Sequence, residues 1–208
     1  ANESFLASST IRNNVVSNAR QVGYLPSSAR SATTNLSMEF DLATGLDISE
    51  VYPGGLPTTL ELKPGLAFTA TSNESAYVFN LLDPYTAAVS SDGKAEFINV
   101  PVYEGTYITT TFVNDLKEFD QKFILENKNI DTSTIRVEVQ EDPNKPVNLR
   151  YTQSKNFSTL DETSRKYWIE EVQEGYYELV FGDGLFGKKL KDGSKIFVDY
   201  LISSGTKA

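Results

Sequence analysis

Cysteine and histidine are both absent from the 208 residues. Without cysteine there are no disulfides, no thiolate nucleophile and no cysteine-based zinc site. Without histidine the commonest general base and the commonest transition-metal ligand are gone. Carboxylates, lysine amines and serine or tyrosine hydroxyls remain as reactive groups. No apolar run approaches the roughly 18 residues that a membrane-spanning helix needs, and no basic stretch followed by an apolar one opens the chain as a secretory signal would. Basic residues are also scarce: 19 Lys and Arg face 28 Asp and Glu, for a net charge of −9. A polyanion binder presents a basic face. The nearest approach to one, Lys188-Lys189, Lys191 and Lys195, is interleaved with Asp183, Asp192 and Asp199, so neither nucleic acid nor membrane is an expected partner.

The composition that remains, 39% hydrophobic and 23% charged, is that of an ordinary globular protein. The length suits one large domain or two small ones. Period-two alternation dominates. Leu36, Met38, Phe40 and Leu42 open a series of short strands that continues through Leu60-Leu62, 67–71, 77–81, 85–90, 95–100 and 106–113. Turn signals separate them: Pro53-Gly54-Gly55, Pro64-Gly65, Ser72-Asn73, Asp83-Pro84, Asp92-Gly93 and Glu104-Gly105. Ile135, Val137 and Val139 form a further strand, as do 147–152 and 166–172. Short strands at this spacing predict a sandwich or barrel rather than βαβ units. Residues 114–129 read two ways. Leu116, Phe119 and Phe123 suit a helix capped by Asn114, and 122–125 suit a strand.

The first thirty residues differ. Ile11, Val15, Val16, Ala19 and Val22 fall at helical spacing, with Ser8, Ser9 and Thr10 to cap the start and Gly23 and Pro26 to stop it. The expected organisation is a mainly β, β-rich α+β fold: an N-terminal helical segment (1–30) followed by two small antiparallel sandwich- or barrel-like units (31–115 and 116–208). The helical stripe must be covered by the following β-structure, by upstream chain or by a partner.

The stretch from Tyr176 to Gly205 pairs two alternating strands, Tyr177-Leu179-Phe181 and Ile196-Val198-Tyr200-Ile202, across a glycine-rich connection. Gly182, Gly184 and Gly187 satisfy G-x-G-x-x-G by letter. A dinucleotide site needs a helix immediately afterwards to meet the pyrophosphate, and here only 188–191 precede the Asp192-Gly193 turn. A tight β-connection with glycines at positive φ or in close backbone approach fits the context instead. Other candidate chemistry is thin. Carboxylate pairs for glycoside hydrolysis would come from Glu170-Glu171, Glu141-Asp142, Asp161-Glu162 or Asp183, though sequence places no two across a cleft. No D-x-D-x-D-G calcium loop is present. Tyr167, Trp168, Tyr176 and Tyr177 suggest a sugar-stacking platform, but adjacent strand residues face opposite sides, so core pairing is the expected use. The residues therefore nominate no catalytic, cofactor-binding or metal site.

Several segments, in order along nearly the whole chain, resemble one family. These are ESFLASSTIRNNVVSNARQVGYLPSSARSA, LKPGLAFTATSNESAYVF, FINVPVYEGTYITTTFVND, FILENKNIDTSTIRVEVQED and LDETSRKYWIEEVQEGYYELVFGDGLFGKKL, followed by the L-x-D-G turn at Leu190-Gly193. Together they are similar to baseplate wedge proteins of contractile-tailed, T-even-type bacteriophages, the baseplate-J-like family. The resemblance implies a fragment of a longer structural protein in the virion tail baseplate, assembled in the host cytoplasm. It would contact other wedge proteins and copies of itself, and relay conformational change to the sheath. It implies no enzymatic activity, no cofactor and no small-molecule substrate. The alternative, from the aromatic-rich β-pattern, is a carbohydrate-binding module of a bacterial surface or adhesin protein.

Overall fold

The computed structural model describes residues 28–44, 48–72, 75–154, 160–172 and 175–204. The N-terminal helix expected over 9–22 lies outside them. The protein is mainly β: among the described residues 52% are in strands and 3% helical. Its contacts divide it into two compact units, residues 31–107 and 108–205, the second joined by 28–30.

The first unit contains β1 (Thr33–Asp41), a one-turn helix α1 (Ile48–Val51), β2 (Thr59–Leu62), β3 (Ala67–Ser72), β4 (Ser75–Asn80), β5 (Tyr85–Ala88) and β6 (Lys94–Glu104). One sheet runs β1-β6-β4-β3, and β2 pairs with β5 beside it; together they curl into a half-barrel. Its core is Leu62, Leu81, Ala95, Phe97, Val100 and Val102, with Phe40 edge-on to Phe97 at 5.8 Å between ring centres. The helix α1 arises in a patch whose prolines and glycines read only as turns.

Strand β6 buries odd positions, Ala95 and Phe97, at its start and even ones, Val100, Val102 and Glu104, at its end. A bulge makes the switch. Leu36 of β1 pairs with Val100 and Met38 with Phe97, so Ile98 and Asn99 together oppose Ser37. Asn99 takes φ 54°, and its N–H donates to the Ser37 hydroxyl at 3.2 Å. An extra residue in one strand bends it and resets which face its side chains occupy. Ile98, on the displaced position, is exposed.

The second unit contains β7 (Thr106–Val113), β8 (Phe123–Leu125), a 3-10 turn (Thr132–Thr134), β9 (Arg136–Gln140), β10 (Asn148–Gln153), β11 (Lys166–Glu171), β12 (Tyr177–Phe181) and β13 (Lys195–Ile202). They form one seven-stranded sheet, β7-β13-β9-β10-β11-β12-β8, curled into a near-barrel. Val137, Val139, Ile196, Val198 and Leu179 fill its interior with Tyr151, Tyr167, Tyr177 and Tyr200. The first and last strands approach each other. Phe112 of β7 meets Phe123 of β8 at 5.6 Å, and the Gln121 amide donates to the Val113 carbonyl at 2.8 Å.

Three expectations change. The sheet is not wholly antiparallel, because Thr152 and Gln153 of β10 pair parallel with Lys166 and Tyr167 of β11. Residues 154–165 supply the dozen or so positions that a parallel crossover needs. The helix reading of 114–129 fails and the strand reading holds. Asn114 is a buried clamp rather than a helix cap, its amide donating to the Lys191 carbonyl at 2.8 Å. Lastly, β7, assigned from sequence to the first unit, hydrogen-bonds to β13, and the contact division falls inside it, between 107 and 108.

If the Asn99 bulge sets the parity of β6, Asn99→Val should cost roughly 1–3 kcal/mol, since a β-branched residue resists positive φ. Asn99→Gly should stay within about 0.5 kcal/mol of the parent. Urea melts of the two variants make the comparison, and equal midpoints would contradict it.

Candidate functional site

Loops at one end of the second unit interlock. Residues 114–121 follow β7, 141–147 follow β9, 160–165 precede β11 and 182–194 join β12 to β13. Glu141 holds three of these regions together. Its carboxylate accepts from Arg165 Nε at 2.8 Å, from Lys188 Nζ at 2.5 Å and from the Tyr151 hydroxyl at 2.9 Å. Its backbone carbonyl accepts from the Ser194 hydroxyl at 3.3 Å. Burial pushes the Glu141 carboxyl up, but hydrogen bonds from Arg165, Lys188 and Tyr151 outweigh it and hold it at about 2. The same burial, with the bond to Glu141, pushes the Tyr151 phenol up.

The glycine connection is fastened to this frame. Asp183 Oδ1 accepts from the N–H groups of Leu185 and Phe186, each at 2.8 Å, an Asx turn that closes the loop tip. Those two bonds, Phe186 first, lower the Asp183 carboxyl from its ordinary range. Gly184 N–H donates to the Gly187 carbonyl, Gly187 N–H to the Asp161 carbonyl and Lys188 N–H to the Ser164 carbonyl. Every amide that a phosphate would need at Gly184, Leu185, Phe186 and Gly187 is thus used internally. No helix follows before the turn at 191–193 and β13. Gly184 and Gly187 adopt φ 96° and 86°. Gly182 is there for space, since a Cβ on it would lie 2.2 Å from the Gly187 carbonyl carbon.

This clamped turn displays apolar side chains to solvent. Leu185 is 75% exposed and Phe186 52%. The 114–121 loop shows Leu116 and, at 99% exposure, Phe119. The loops are linked by the Leu116 N–H, which donates to Asp192 Oδ1 at 2.9 Å, and by the Gly193 N–H, which donates to the Asn114 carbonyl at 2.7 Å. Between them opens a hollow of about 240 Å³ lined by Leu116, Gln121, Phe123, Phe181, Gly182 and Leu190, among others. Exposed apolar side chains on hydrogen-bonded loops, one of them, Leu116, at the rim of a hollow, have the chemistry of protein–protein contact.

The candidate carboxylates do not assemble into an acid–base pair. Glu141 faces two cations. Asp161 accepts from its own turn, the Ser164 and Thr163 hydroxyls and the Thr163 N–H, which lower its carboxyl. A carboxyl held low has no proton to give at neutral pH, so Glu141, Asp161 and Asp183 do not fit the acid role of a glycosidase. Glu170 is exposed while Glu171 is buried, on opposite faces of β11. Nor do the aromatics form a platform. Tyr167, Trp168 and Tyr177 are buried in the fold, and burial pushes the Tyr167 phenol up to about 12. Tyr176 is half-buried with the Lys128 ammonium 5.2 Å over its ring. Among the described residues no group of three acidic side chains could hold a metal ion.

The sequence marked the glycine turn but not what it carries. Leu185 and Phe186 were legible as side chains at the tip of a D-G-x-x-G turn, a place from which they cannot reach the core. Glu141 was legible only as half of a candidate carboxylate pair with Asp142; nothing in the pattern marked it as a hub, since its partners lie up to 53 positions away.

Two outcomes test this frame. Gly182→Ala should destabilise by roughly 1–3 kcal/mol or more through overpacking, and Gly184→Val by about 1–3 kcal/mol through its φ. Gly54→Ala, where a Cβ meets nothing within 4 Å, should be near neutral. Calorimetry resolves these as about 2–4 °C in Tm per kcal/mol. The second concerns acid. Because the folded Glu141 carboxyl is lowered to about 2 from 4.5, its contribution is complete above the ordinary value and is lost as pH falls toward 2. Melts across that window should show Tm falling with acid, with a shallower slope for Glu141→Gln; an unchanged slope would remove Glu141 as the hub.

No protein-family model matches this chain, and no curated protein is significantly similar to it.

Proposed function

We propose that this chain is a structural component of a contractile phage tail baseplate, acting through wedge and inter-wedge protein–protein contacts. Its finer architecture, on this reading, is an N-terminal helix followed by two small barrel-like units. The observation that carries the reading is the rigid apolar tip, Leu185-Phe186, held out to solvent by the Asp183 turn. It is supported by the ordered sequence resemblance to wedge proteins. A side chain already fixed in its bound position loses little entropy on docking, so such a tip suits a permanent joint that must transmit force. Its neighbours would be other wedge proteins and further copies of the chain, in the virion.

Immuno-electron microscopy of particles from the source, with antibody against this chain, should label the distal end of contractile tails. Label on a cell envelope, or none on tails, would overturn the reading. Phe186→Ser should weaken incorporation into tail-end assemblies by roughly 30-fold, as loss of about 2 kcal/mol at an anchor predicts, with the Tm of the free chain unchanged. Normal incorporation of that variant would remove the tip from the joint.

A further inference from the structure

The end of the second unit that carries the glycine turn offers a knob and a hole on one patch. Gly182 and Lys189 bridge each other, and both line the hollow of about 240 Å³, so residues 183–188 spring from its rim. Leu185 and Phe186 stand in that loop, 75% and 52% exposed. Leu116 and Gln121 also line the hollow, and every residue from Asp115 to Asp120 is exposed. The hollow falls below the roughly 300–1,000 Å³ of small-molecule sites. It suits one large side chain, and its walls include Leu116, Phe123, Phe181 and Leu190, which suit an apolar one.

The charges divide in the same way. The tip segment, 183–191, sets Asp183 against Lys188, Lys189 and Lys191, a net of +2. The 115–120 segment sets Asp115, Glu118 and Asp120 against Lys117, a net of −2. An isologous pair brings the same patch of two copies together, so each feature must find its complement within that patch. Here the knob has its hole, and the basic segment has its acidic one. An anionic lipid surface would attract only the basic half. The exposed parts of Leu116, Phe119, Leu185 and Phe186 amount to roughly 500 Å², given that a large aromatic side chain buries about 150–250 Å². A standard interface takes about 800 Å² from each partner, so these four side chains supply most of one side of a dissociable dimer.

We propose that two copies of this chain pair through this end about a twofold axis, with Phe186 of each seated in the hollow of the other. Lys189 and Lys191 of one copy then lie against Glu118 and Asp120 of the other. The pairing rests on the reading of the tip as a protein–protein contact, and names what the tip meets. Because knob and hole share one patch, the pair is closed and grows no further.

Sedimentation velocity of the full chain across a wide dilution series should show a reversible monomer–dimer equilibrium. A monomer at every concentration, or species that grow beyond the dimer, overturns the proposal. Phe186→Ser should raise the dissociation constant roughly 30-fold, as loss of a buried aromatic anchor does. Ile98→Ser, which changes an exposed residue of the first unit, should leave it unchanged. A dissociation constant untouched by Phe186→Ser would put the contact elsewhere and overturn the pairing. The charges give a test that misfolding cannot mimic. Lys189→Glu with Lys191→Glu makes both segments acidic. Glu118→Lys with Asp120→Asn makes both basic, and asparagine tolerates the φ of 65° at position 120. Each variant alone should stay monomeric, and an equal mixture should recover the dimer, since every tip then meets a segment of opposite charge. A mixture that stays monomeric counts against the pairing. None of these readouts depends on tails. A monomeric chain that still labels tail ends would end this pairing and leave the function proposed above standing, whereas an intact dimer with no label on tails would do the reverse.

Discussion

Glu141 sits where three separate stretches of chain meet, and its carboxylate accepts from all three. Tyr151 comes from β10, Arg165 from the approach to β11 and Lys188 from the far side of the glycine turn. Two cations and a phenol satisfy this half-buried carboxylate, so the cluster carries little unpaired desolvation cost. Such a cluster need not be more stable than a well-packed apolar substitute. What it supplies is position. Hydrophobic contact is non-directional, whereas a carboxylate receiving three donors fixes where each donor's backbone stands. A loop end that must hold a defined shape without a core beneath it needs that kind of constraint.

The glycine turn inherits its rigidity from this frame. Lys188 is held by Glu141, Lys188 N–H and Gly187 N–H are held by the 161–164 turn, and Asp183 closes the tip. Gly182 then passes so close to Gly187 that no side chain fits. The result is a loop whose amides from Gly184 to Lys188 are hydrogen-bonded nearly as fully as those of a strand pair, which is unusual for connecting chain. It presents Leu185 and Phe186 in one arrangement rather than many. The same glycine letters that in another context would cradle a pyrophosphate are spent here on holding two apolar side chains away from the core.

What could be read from sequence was local. The strands β9, β12 and β13 follow the alternation of Val137-Val139, Tyr177-Leu179 and Ile196-Val198-Tyr200, because a residue's face depends only on its neighbours two positions away. The failures are all non-local. The bulge at Asn99 leaves β6 looking like a regular strand, since the parity switch shows only against β1. The parallel β10–β11 pair depends on where the chain returns after 154–165. β7 reads as the end of one set of strands, yet its hydrogen-bonding partner β13 lies nearly ninety positions on, as the Thr109–Asp199 bond shows. Leu116 and Phe119 fit a helical stripe, but the helix loses to the clamp that Asn114 makes with Lys191 and Ser194.

The candidate surface was half legible for the same reason. Its glycines announced a special backbone, and the residues between them were bound to be displayed. Its electrostatic hub was read only as a candidate for acid–base chemistry, because one glutamate among 28 acidic residues gains its bracing role only from cations that folding brings to it. That division bears on function. The lowered carboxyls at this end, Glu141, Asp161 and Asp183, each accept from internal donors, so their electrostatics go into shaping the loops. The groups left facing solvent at this end include Leu116, Phe119, Leu185 and Phe186, which can do little but pack against another surface. At this end the carboxylates are occupied in shaping loops while apolar side chains face outward, and that division is what the joint proposed above would draw on.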